Sequence, residues 1–152
     1  VAAADNADYI AIYDTSGTAT GKQLRSVFLN TGDEVLLSTT AGVDLKTVAS
    51  TNLYTVAASQ EVMTTRLVVV ITAATAATVP ATAGAGYNGG QDNILFPQSM
   101  VNTLAVDDMW TFTPSGKSVL ANAADVIAFG VDTGATATTL TATVYLFGKI
   151  IG

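Results

Sequence analysis

The chain has 152 residues, 49% of them apolar and only 12% charged, with no Cys, no His and a net charge of −6. Soluble domains average about 25% charged residues, so so little charge, with a mean hydropathy of +0.44, asks for a surface that meets other protein. The absence of Cys and His excludes disulfides, thiolate and imidazole metal sites, and Ser-His-Asp or Cys-His nucleophiles, while six singly scattered Lys and Arg offer no basic stripe to nucleic acid or an anionic membrane.

Residues 1–46 hold half of the acidic and half of the basic residues, together with the apolar clusters "YIAIY" (Tyr9, Ile10, Ile12, Tyr13), "VFL" (Val27, Phe28, Leu29) and "EVLL". The opening "VAAADNADY" carries Asp5 and Asp8 where a signal peptide needs a basic start and an apolar run, so no targeting segment is expected. Val1 in place of Met is expected to reflect initiator removal or trimming of a precursor. The clusters are too short to build a core alone, and 1–46 is therefore expected to be an arm or small subdomain that completes its packing on something else.

Residues 47–152 read as strands. Candidates are Leu53 to Ala57, Met63 to Ile71, Ala76 to Val79, Ile94 to Pro97, Val101 to Ala105, Met109 to Thr113, Ser118 to Leu120, Val126 to Val131 and Leu140 to Leu146. In the third of the chain after Leu53, Leu67 to Gln91 contains no ionisable group except Tyr87. Its length would allow a membrane span, but after Ile71 it is Ala, Thr and Gly with Pro80 in the middle, too poor in Leu, Ile or Phe to insert. From Met63 to Ile71 the odd positions alternate against the even ones, and the later half is apolar on both sides, so it is expected to be covered twice. The clearest period comes last: Leu140, Ala142, Val144 and Leu146 share one face, with Tyr145 and Phe147 opposite. "ASQ", "GAGYNGG", "VDD", "PSGK", "NAAD" and "DTGA" separate the strands as turns, and no amphipathic helix intervenes. About eight short strands at this spacing predict an all-β fold, an antiparallel jelly-roll-like β-sandwich over 47–152.

Motifs that suggest chemistry have plainer explanations. "GAGYNG", Gly84 to Gly89, matches G-x-G-x-x-G but opens no helix of a βαβ unit and reads as a flexible loop. "SGKS", Ser115 to Ser118, lacks the first glycine of a P-loop and reads as a hairpin turn after Pro114. Asp107 and Asp108 are adjacent; one is expected to turn the backbone and the other to be solvated. Trp110 and Phe112 share a strand face and are expected to be core, the sharper alternative being a sugar-stacking platform. Asp132 with loop carbonyls could hold calcium, but no acidic repeat supports it. Neither catalytic residues, a metal nor a cofactor are expected.

Two stretches carry a family resemblance. "ADYIAIYDTSGTATGKQLRSVFL", Ala7 to Leu29, resembles a short module of tailed-bacteriophage structural proteins. "TNLYTVAASQEVMTTRLVVVITAATAATV", Thr51 to Val79, with "DDMWTF" and the closing "VIAFGVDTGATATTLTATVYLFG", is similar to phage virion jelly-roll domains. One departure is that Ala57, Ala58 and Ser59 stand where such domains often have Pro-Ala-Gly. The resemblance implies a non-enzymatic capsid decoration, or cement, protein on the virion exterior, commonly a homotrimer, whose partner is the major capsid protein. On this reading Tyr9, Ile10, Ile12, Tyr13, Val27, Phe28 and Leu29 would attach to the capsid, and Tyr145 and Phe147, too large to leave bare, would form the subunit interface. The alternative is a fibre or tail-tip domain that binds a host glycan through a loop such as Gly84 to Asp92.

Overall fold

In the closing strand, Leu140, Ala142, Val144 and Leu146 are fully buried, as their period-two spacing requires of a strand with one face in a core. The structure, a computed structural model, describes residues 34–87, 95–112, 114 and 120–151. Their elements in chain order are β1 (Val35–Asp44), β2 (Ala49–Thr55), β3 (Glu61–Thr75), β4 (Thr82–Tyr87), β5 (Phe96–Met100), β6 (Met109–Phe112), β7 (Leu120–Ala121), β8 (Val126–Thr133) and β9 (Thr139–Ile151). All ladders between them are antiparallel.

One sheet runs β1-β9-β3-β6, with β7 also on β3, and the other runs β2-β8-β4-β5. Every connection except β4 to β5 and the β6–β7 interruption crosses between sheets, which is the winding of a jelly roll. Phe112 of the larger sheet meets Phe129 of the smaller edge to face, with centroids 6.1 Å apart. Around them the inward residues of both sheets, including Leu67, Val69, Ile71, Phe96, Ile127 and Leu146, form one core. Trp110 packs half-buried against it, so the core reading of Trp110 and Phe112 holds.

Four expectations need correction. Val35–Asp44, assigned to the arm, is the outer strand of the larger sheet, and Val43 and Leu45 are buried in the core; the sandwich therefore begins by residue 35 rather than 47. The "GAG" of the expected flexible loop lies in β4, hydrogen-bonded on both sides, because glycine fits a strand whose neighbours approach closely. Ala76 to Val79 does not continue as a strand: Ala76 has φ +50°, and only Val79 makes an isolated bridge, to Thr136. Finally, β6 and β7 both run antiparallel to β3, Leu67 opposite Phe112 and Met63 opposite Leu120. They are one interrupted strand track, so the chain does not reverse between Phe112 and Leu120 as a hairpin would; Ser115 to Ser118 lie outside the described residues.

The two outer faces differ from the usual polar exterior. Val68 and Ala128 are buried yet belong to no part of the central core, since each points outward, Val68 from the larger sheet and Ala128 from the smaller. No helix among the described residues is long and apolar enough to cross a membrane.

Candidate functional site: the outer face of the larger sheet

Sequence alternation places Tyr145 and Phe147 away from the core, and the ladders determine what stands beside them. Tyr145 lies between Thr39 of β1 and Val68 of β3; Phe147 lies between Leu36 and Arg66. Beyond Val68 comes Thr111 of β6, and Val70 stands between Thr143 and Met109. The face is thus a patch of Leu36, Phe147, Tyr145, Val68, Val70 and Met109 set among threonines. Leu36 is 51% exposed and Met109 63%, whereas Tyr145, Phe147 and Val70 are half-buried.

A bulge makes this neighbourhood. The register slips between Thr64 and Arg66, so Val62 and Thr64 face the core before it, and Leu67, Val69 and Ile71 after it. Strict alternation would have put Met63 and Thr65 on the side of Leu67. The slip instead brings Arg66 over Phe147, its guanidinium carbon 4.2 Å from the ring centroid. Arg66 Nη2 donates to Glu34 Oε2 at 3.0 Å, and Thr65 Oγ1 donates to Glu34 Oε1. Glu34, the residue entering β1, is thereby tied across β9 to β3. The face also carries Thr72, whose hydroxyl meets the Thr141 carbonyl and hydroxyl.

Tyr145 and Phe147 thus share the outward face of β9, and β1, β3 and β6 add residues that spacing alone does not reveal. Met109 and Leu36 had no signal in sequence, because their place depends on register. Tyr9, Ile10, Ile12, Tyr13, Val27, Phe28 and Leu29 lie outside the described residues. So do residues 88–92 of the alternative glycan loop, whose first part, Gly84–Tyr87, lies within β4 rather than in a loop.

The acidic residues have structural roles. Asp108 Oδ2 accepts the Ala105 amide at 3.0 Å, while Asp107 turns the chain at φ +70° and is exposed. Asn122 to Asp125 repeats this arrangement, with Ala124 at φ +70° and Asp125 Oδ2 accepting the Asn122 amide at 2.8 Å. Asp44 accepts the Lys46 amide and the Thr47 hydroxyl, both at 2.9 Å. The Lys46 amide bond chiefly holds its carboxyl below the usual aspartate range; partial burial opposes this, and Thr47 and the Lys46 charge assist it. Among the described residues no three metal-binding side chains converge.

No protein-family model matches the chain, and no curated protein matches its sequence. Among solved structures, a chain of the acidic stable capsid structure of Helicobacter pylori bacteriophage KHP30 is similar, with 13% identity and a TM-score of 0.48 over 78% of this chain and 95% of that one.

Proposed function

We propose that the protein is a non-enzymatic virion structural protein, a decoration or cement protein of a phage head that assembles as a homotrimer on the capsid exterior. The observation that carries this reading is the outer face of the larger sheet: Leu36, Val70, Met109, Tyr145 and Phe147 form an apolar surface with Arg66 as the cation upon it. A face of this kind is stable in water when a neighbour covers it permanently, as in obligate interfaces. The 42 residues of β1, β3, β6 and β9, at about 4.8 Å between strands and about 3.4 Å per residue, make a sheet face of about 700 Å², close to what one partner commonly contributes. The low charge of the whole chain and the phage-like patterns of Ala7 to Leu29 and Thr51 to Val79 support the same reading.

In this role the sandwich provides the subunit contacts through Tyr145 and Phe147. The major capsid protein is engaged by the N-terminal clusters Tyr9, Ile10, Ile12, Tyr13 and Val27, Phe28, Leu29, three copies per trimer multiplying a modest affinity. Co-sedimentation with emptied heads of the phage that encodes the chain tests attachment. The wild-type protein is expected to pellet with them and the Val27→Asp/Phe28→Asp variant to remain in solution. Failure of the wild-type protein to bind, with binding instead to an immobilised glycan, would favour a receptor-binding fibre domain.

A further inference from the structure

The ladders of the larger sheet set its outward side chains in rows. One row runs Leu36, Phe147, Arg66; the next Thr39, Tyr145, Val68, Thr111; the third Thr143, Val70, Met109. The apolar members form a staircase across these rows: Leu36 on β1, Phe147 and Tyr145 on β9, Val68 and Val70 on β3, Met109 on β6. They make a diagonal belt from the β1 edge of the sheet to the β6 edge. Thr39 and Thr143 flank it on one side, Arg66 and Thr111 on the other. Its tips stand three strand spacings apart and four residues along the strands, so the belt is about 20 Å long and crosses the strands at about 47°. The tips, Leu36 and Met109, are its most exposed members.

We infer that the belt is a heterologous contact between copies of the chain: the Leu36 tip of one copy abuts the Met109 tip of the next, and three belts close a ring about a threefold axis. The inference rests on the trimeric reading above and deepens it by pairing two sites on opposite edges of the sheet. The chemistry of the belt fits a second copy. The charge beside it, Arg66, is already met by Glu34 of its own chain, so the partner brings no countercharge, and the threonines on both flanks can bond to one another across the contact. The sheet face measures about 700 Å², close to what one partner contributes to a stable contact. Its shape fits a ring. With the belt perpendicular to the threefold axis, the strands incline to that axis by about 43°, an angle at which sheets commonly close on themselves. Pairing unlike tips covers both, whereas Leu36 set against Leu36 leaves Met109 bare.

The absence of Cys allows a direct test on the full chain. Leu36→Cys, Met109→Cys and the double variant are treated with a bis-maleimide much shorter than the belt, which cannot bridge the two sites of one chain. The double variant is expected to run on a denaturing gel as a covalent trimer and each single variant as a monomer, since like sites do not meet in a ring. A double variant that sediments as a trimer yet stays uncrosslinked would overturn the tip pairing and leave the trimer standing. A covalent product that stops at two chains would mean a twofold contact and overturn the ring. A wild-type protein that sediments as a monomer would remove the trimeric reading and this inference with it. Charge exchange gives a second readout that needs no thiol. Leu36→Glu and Met109→Lys are each expected to raise the concentration at which trimers dissociate by about tenfold, and the two in one chain to recover most of that loss. No recovery in a folded double variant would count against the pairing.

Discussion

Ser59 sits at φ +68° as the third residue of a turn closed by the Gln60 amide on the Ala57 carbonyl. A left-handed backbone costs a residue with a Cβ about 1 kcal/mol, a penalty that glycine does not carry. Ser59→Gly is therefore expected to stabilise the fold by about 0.5–1 kcal/mol in urea unfolding, the gain being trimmed by the added freedom of the unfolded chain. Gly134 is the opposite case. A Cβ there would collide with the backbone carbonyl of Lys46, where Ala135 and Leu45 join the two sheets through a 2.8 Å hydrogen bond. Gly134→Ala is expected to cost about 2–4 kcal/mol, because backbone on both sides leaves nothing flexible to yield. Asp44 gives a pH signature. Its folded pKa is depressed, so its contribution is present above the unfolded value and is lost as pH falls through the folded one, below about pH 4. Asp44→Asn should flatten the acid limb of a stability–pH profile and leave the low-pH end nearly unchanged.

Among elements, β1 has the largest consequence for experiment. Its ladder to β9 runs from Val35 to Asp44, and Val43 and Leu45 fill the core, so deleting residues 1–46 removes an outer strand and two buried side chains. That truncation is expected to unfold the protein, read as loss of the β-sheet circular dichroism signal, whereas the substitutions proposed for attachment leave β1 in place. The strand was hidden in sequence by Gly42 at φ +71° and by two register shifts, which break the alternation that reveals β9. β9 was legible because Leu140 to Leu146 faces a core on one side without interruption. β3 was legible in extent but not in phase, since the bulge at Thr65 exchanges its faces and no residue type announces it. β4 was misread because glycine is a turn signal in isolation, and only its neighbours Gly130 and Ala128 give it a place in a sheet. The same limit applied to the candidate interface: alternation gave Tyr145 and Phe147, while Leu36, Arg66 and Met109 came from registers that one strand's sequence does not encode.

For the molecule as a whole, the apolar outer face of the larger sheet is the surface on which the proposed association is to be tested. Tyr145→Asp is expected to convert a trimer to monomers in sedimentation at micromolar concentration while preserving the circular dichroism spectrum, because Tyr145 faces outward, beside Val68, and not into the core. A wild-type protein that sediments as a monomer would remove the subunit role from this face. Arg66 tunes the surface only slightly. It is an exposed cation with an exposed carboxylate and a ring, so Arg66→Ala is expected to cost about 1 kcal/mol or less in stability.

The pairing of Val35 with Gly148 and of Glu61 with Ile151 puts residues 34 and 151 at the same end of the larger sheet. A passenger fused after Ile151 would emerge at the end of the sheet where β1 begins, beside Glu34. At the far end, β1 turns into β2 through Thr47 and Val48, both exposed. An internal insertion at this turn would therefore place a guest sequence in exposed chain at the opposite end of the sheet from Glu34 and Ile151.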